Sequence, residues 1–199
     1  APWSPPAVVH CCGALGLDVL APLAALGAST GCWHPLQAFP SRHTRVDAGI
    51  TWAITASAPL DTTLRELTER VHGIPLFLRE ADKPRYHAAA ALASNYSVTL
   101  VAHATAVLQD CGLDRDGALA ATLALVRSTL HGLAEVGLPD GLTGPLARGD
   151  VGTVSTHLRA LAAYVGEQLS AHKRPREVRF VEALPRNEMG KVLKARLTG

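Results

Sequence analysis

The sequence predicts an α/β fold that gives way to helices, on three observations. Short β-branched runs alternate with helical spacing across residues 7–78. From Arg85 onward, long Ala- and Leu-rich stretches end at Gly or Pro. Ala contributes 33 of the 199 residues while Trp, Tyr and Phe contribute three each, so the core is aliphatic and the helices pack closely. With 48% apolar and 18% charged residues, the chain is too apolar for disorder and too Cys-poor for a disulfide-stapled miniprotein.

The elements follow in order. Ala7-Val-Val-His-Cys-Cys12 reads as a buried strand after Pro5-Pro6, and Gly13 breaks it. Leu17 to Leu26 are spaced as a helix that stops at Gly27. Thr30–Trp33 is a second strand, turned by His34-Pro35. Residues 49–55 form a third, and Pro59 with Asp61 opens a helix over 61–72 whose Leu60, Leu64, Leu67 and Val71 share one face. Ile74–Leu78 is a fourth strand. Beyond Lys83 one helix runs over 85–111 to Gly112, and Asp114 or Asp116 caps another that ends at Gly137. A third helix covers about 151–171, then a strand over 177–184 and a short helix over 191–197 follow. The change of character places a boundary near residue 82; the further division into residues 83–161 and 162–199 is implied only by family resemblance.

Charge is unevenly spread. Residues 1–171 hold 11 Lys+Arg and 14 Asp+Glu; residues 172–199 hold 8 and 3, so the tail is basic at +5 while the rest is −3. The tail's charges are spaced singly and without aromatic platforms, which argues against nucleic acid. Cys11, Cys12, Cys32 and Cys111 contain no Cys-x-x-Cys pair, and no signal pattern opens the chain, so a cytoplasmic protein with reduced thiols is expected. His10, Cys11, Cys12, Cys32 and His34 match no established zinc spacing, so no metal is expected. Residues 86–109 lack Asp, Glu, Lys and Arg, but His87, Ser94, Asn95 and His103 fit a soluble bundle better than a membrane.

Residues 82–96 carry the most information. At 100° per residue His87, Ala91, Ser94 and Asn95 share one stripe, with Lys83 one turn earlier. Polar groups on an apolar helix need partners, because burying one unpaired costs about 1–3 kcal/mol. The stripe is either cross-helix hydrogen bonding or a ligand-facing wall with an imidazole and an amide. His34-Pro-Leu-Gln37 follows a strand, where α/β proteins place ligand loops, or is simply a turn. Gly13 sits in a strand-to-helix turn. No G-x-G-x-x-G and no G-x-x-x-x-G-K-[ST] occurs.

Four stretches, Val9–Ala14, His34–Phe39, Tyr86–Tyr96 and Leu142–Asp150, together resemble Rossmann-like proteins of unknown function whose C-terminal domain is similar to that of 6-phosphogluconate dehydrogenase. The resemblance covers about residues 8–161. It implies an incomplete Rossmann-like parallel sheet (1–82), a helical dehydrogenase-like domain (83–161) that dimerises, and NAD(P)-dependent oxidoreductase chemistry. On that reading His87 is the proton donor or substrate anchor, Asn95 and Ser94 orient the substrate with Lys83 nearby, and His34, Gln37 and Gly13 face the cofactor. The sequence begins after the family's glycine-rich phosphate turn, so weak or no NAD(P) binding by this chain alone is expected.

Residues 163–197 resemble the C-terminal end of adenylate-forming acyl-CoA synthetases, with Pro185-Arg-Asn-Glu-Met-Gly-Lys191 as their lysine motif. That similarity implies a catalytic Lys191 in a fused ligase piece; the competing reading is a solvated lysine on an appendage. A third possibility is a non-catalytic association module. Its basis is that the 86–111 and 116–136 helices are apolar nearly all round and need a partner, most simply a second copy.

Overall fold

A computed structural model describes residues 6–168. It divides into two compact units, Ala1–Thr122 and Leu123–Gly199. The first opens with β1 (Val8–His10), a single 3-10 turn and the short helix α1 (Ala21–Ala24), then β2 (Thr30–Pro35) and β3 (Thr51–Ala56). Helix α2 (Leu60–Arg70), β4 (Ile74–Phe77) and α3 (Lys83–Ala91) follow; a π-helical turn, Leu92–Tyr96, leads into α4 (Ser97–Asp110).

The strands lie in the order β1-β2-β3-β4. β1 pairs parallel with β2, and β3 with β4, each across a helical connection. β2 and β3 run antiparallel, with Trp33 opposite Ile54 and His34 opposite Ala53. The sheet is therefore α/β as the sequence predicts, but mixed rather than wholly parallel. The reason lies in residues 36–50, which form no helix, so the chain turns straight back instead of crossing over.

β3 is buried over Trp52–Thr55, as a central strand covered on both faces requires. Ile54, Leu60 and Leu64 form the core of the first unit, with Val9, Trp33 and Ala56 packed on it. Trp33 stacks on Trp52 with ring centroids 4.1 Å apart, and its indole N–H donates to Thr68 Oγ1 at 2.8 Å. The predicted helix over 17–26 is shorter than its spacing suggests. It is split between a 3-10 turn and α1, because Pro22 removes a donor at the junction.

Helix α5 (Arg115–Val136) begins in the first unit, and α6 (Gly144–Ala147) and α7 (Val151–Gln168) belong to the second. Asp114, one of the two expected caps, accepts from the Gly117 N–H at 2.7 Å. Asp150 caps α7 through the Thr153 N–H at 3.0 Å, and those hydrogen bonds hold its carboxyl below the usual carboxylate range. The helical stretch Glu80–Asp110 is long and apolar enough to cross a membrane by length and composition. The predicted strand over 177–184 and helix over 191–197 lie outside the described residues.

Candidate functional site

A cleft of about 760 Å³ opens where β2 ends. One wall is the loop that leaves the strand, His34 and Leu36 to Pro40; the other is the run from Tyr86 to Asn95 on α3 and the π turn. Along that wall the long helix is not α-helical throughout: Leu92–Tyr96 form a π turn, a geometry frequent at functional sites. Ser94 and Asn95 lie within that turn. His87, Ala91, Ser94 and Asn95 all border the cleft, so the stripe inferred from the sequence survives the change of pitch. His87 and Asn95 are exposed and Ser94 is half-buried, as groups free to meet a ligand would be.

His34 occupies the strand end. Its Nδ1 lies 2.7 Å from the phenol oxygen of Tyr86, and the two rings meet edge to face at 5.6 Å. Burial holds the His34 imidazole below its ordinary value, and the charges of Lys83 and His87 push in the same direction. Burial likewise drives the Tyr86 phenol up to about 12. Both side chains are therefore neutral at physiological pH. Tyr86 had no individual signal in the sequence: nothing in Pro84-Arg-Tyr-His87 tells which ring reaches across to the strand.

Gly13 lies against the His34 ring. A Cβ built there would be 2.9 Å from both Cε1 and Nε2, closer than carbon tolerates. The missing side chain thus makes room for an imidazole. Gln37 borders the cleft, but its amide is committed elsewhere: Nε2 donates to the Arg45 carbonyl at 2.9 Å and Oε1 accepts from the Asp47 N–H at 3.0 Å. It pins the loop between β2 and β3. Lys83 does not line the cleft. It is 2% exposed, and its ammonium points at the sulfur of Cys32. Among the described residues no three His, Cys, Asp or Glu side chains gather as a metal site. Lys191 and the rest of its motif lie outside the described residues.

A family profile described as "Domain of unknown function (DUF2520)" matches residues 50–174. No curated protein matches the sequence. Among solved structures, a Thermotoga maritima protein superposes with a TM-score of 0.67 at 24% identity, over 80% of this chain and 62% of its own. A candidate NADP oxidoreductase from Bacteroides fragilis gives 0.62 at 24%, over 80% and 60%. Pyrroline carboxylate reductase from Plasmodium falciparum, solved with NADP bound, gives 0.56 at 13%, over 81% and 64%. The fold is thus Rossmann-like, and the chain spans less than two thirds of each of these structures.

Proposed function

The chain belongs to the family described as a domain of unknown function, DUF2520, and from that premise we propose that its cleft is the substrate end of an NAD(P)-dependent oxidoreductase. One observation carries this reading: an imidazole-and-amide wall, His87 to Asn95, faces the carboxyl end of a sheet strand across a cleft. Ligands of open α/β sheets bind beyond the carboxyl ends of strands.

The lining suits a nicotinamide. It contains no Lys, Arg, Asp or Glu, and Ala89, Ala90, Ala91 and Ala93 give it an apolar side. A flat, weakly polar ring is accommodated there; a pyrophosphate would find no counter-charge. His34 and Tyr86 would hold that ring, and when bound it supplies or accepts a hydride. The chain's own residues do the rest. His87, exposed on the cleft wall, gives a proton to the substrate heteroatom or anchors it. Asn95 and Ser94 donate and accept hydrogen bonds that fix the substrate's orientation. Lys83, behind the wall, acts through position and charge rather than by contact.

We place this site in a cytoplasmic homodimer formed through the helices of residues 83–161. The ligase reading of the tail rests on the resemblance of residues 163–197 alone; neither the matching family profile nor the similar solved structures support it.

The test is an NADPH titration of the full chain followed by nuclear magnetic resonance. Perturbed resonances at His34, Tyr86, His87 and Asn95 are expected. Saturating NADPH that leaves these four unchanged would overturn the reading.

A further inference from the structure

Lys83 is the most anomalous side chain in the first unit. It is 2% exposed, and among the described residues its one hydrogen-bond partner is Cys32 Sγ, 3.1 Å from Nζ. No carboxylate forms an ion pair with it among the described residues. A buried ammonium is ordinarily matched by an acid, because desolvating an unpaired charge costs several kcal/mol. A sulfur atom compensates poorly. Cys32 is itself fully buried, and its thiol donates to the Cys12 carbonyl at 3.4 Å. The two atoms are held from opposite sides, Cys32 by the centre of β2 and Lys83 by the first turn of α3. Nitrogen and sulfur therefore sit at contact distance in a dry site, with little freedom to move apart.

We propose that Lys83 Nζ and Cys32 Sγ form a reversible covalent nitrogen–sulfur link when the protein meets a hydroperoxide. The first step oxidises sulfur: the thiol attacks hydrogen peroxide, the O–O bond breaks, and a sulfenic acid and one water result. In the second step the Lys83 ammonium first gives up one proton to solvent through a local opening, and the resulting amine attacks that sulfur. An N–S bond forms, the S–O bond breaks, and the hydroxyl leaves with an amine proton as a second water. Counted from the neutral amine and thiol, the chain loses two hydrogens while the peroxide is reduced to two waters. Two equivalents of an external thiol reverse it, giving back the amine and thiol and yielding a disulfide.

Burial favours this product over its competitors. Water-exposed sulfenic acids go on to sulfinic acid or capture other thiols, whereas the Cys32 sulfur has an amine as its immediate neighbour. The peroxide enters by local opening beside Cys11 and Cys12, whose side chains are exposed. The link would tie the start of α3 to β2 directly beneath His34 and Tyr86. The inference does not depend on the oxidoreductase reading, since it is scored by mass alone.

The experiment treats the full chain with hydrogen peroxide and measures intact and peptide masses. The expected result is a chain lighter by two hydrogens, with one linked peptide containing Cys32 and Lys83, restored to its starting mass by dithiothreitol. A variant with Cys11, Cys12 and Cys111 replaced by Ser retains both reacting groups and should give the same link. Lys83→Arg should lose it, with Cys32 passing to sulfinic acid. Three results overturn the proposal: a Cys32 disulfide in place of the link, a linked peptide that retains an oxygen atom, or an oxidised triple variant with no 32–83 peptide.

Discussion

His34 and Tyr86 are joined across the cleft floor by a 2.7 Å hydrogen bond between Nδ1 and the phenol oxygen. It ties the carboxyl end of β2 to the first turn of α3, residues 52 positions apart in the chain, and so fixes the distance between the two walls. A bond between neutral partners contributes about 0.5–1.5 kcal/mol. Tyr86→Phe should therefore lower unfolding free energy by about that amount, read from urea midpoints. In an alkaline absorbance titration the phenol that ionises near 12 should vanish in the same variant.

His87 and Asn95 reach the same cleft from positions about two turns apart on one helical run. If His87 moves the proton, His87→Gln should lower kcat by about 10²–10⁴-fold while leaving the melting temperature unchanged, since the ring is exposed. Asn95→Ala should act mainly on KM. Steady-state kinetics with any reducible substrate the protein accepts would separate the two. Equal effects of both variants on kcat and KM would argue against distinct roles.

Gly13 gives a steric prediction. Its absent Cβ would overlap the His34 ring edge at 2.9 Å, so Gly13→Ala should displace that ring and break the bond to Tyr86. The expected loss is about 1–3 kcal/mol, as for other overpacked sites. An unchanged urea midpoint would show that the loop yields instead.

Much of this cleft was readable from residues alone, because its key wall lies on one continuous helix. The spacing of His87, Ala91, Ser94 and Asn95 requires only the helical repeat. The partners across the cleft were harder. Tyr86 belongs to the site through a hydrogen bond to a strand far away in sequence, which periodicity cannot reveal. Gln37 had the right position, but whether an amide faces a ligand or its own loop is decided by residues 45–47 folding back. Lys83 carried the right phase for the stripe, yet at the first turn of the helix its long stem reaches inward to Cys32. One strand pairing departs from the expected parallel sheet for a similar reason: apolar and β-branched runs mark β2 and β3, while their antiparallel pairing depends on what residues 36–50 leave out.

Acidification should weaken the first unit through His34. Burial, with help from Lys83 and His87, holds this imidazole below its ordinary 6.5. Below that pH the unfolded chain binds the proton more readily than the folded one, so stability must fall as pH decreases. The decline begins near 6.5 and is complete only below the folded value. His34→Asn should flatten that part of the profile, seen in urea midpoints between about pH 7 and 5.

The helices make the last prediction. Leu92, Val98 and Leu100 are 59%, 68% and 70% exposed, and none of the apolar window within Glu80–Asp110 is buried. Contiguous exposed apolar surface of this kind is typical of an interface. Each fully covered Leu or Val side chain is worth about 1.5–3 kcal/mol, so pairing such helices gives a second copy a strong reason to bind. Sedimentation should show a dimer for the full chain and for a chain ending at Leu161. Replacing Val98 and Leu100 together by Glu should yield monomers in both, because two carboxylates cannot be buried unpaired at an apolar seam. If the full chain is instead a monomer, and aggregates only once residues 162–199 are removed, the tail rather than a second copy covers the helices, and the dimer is excluded.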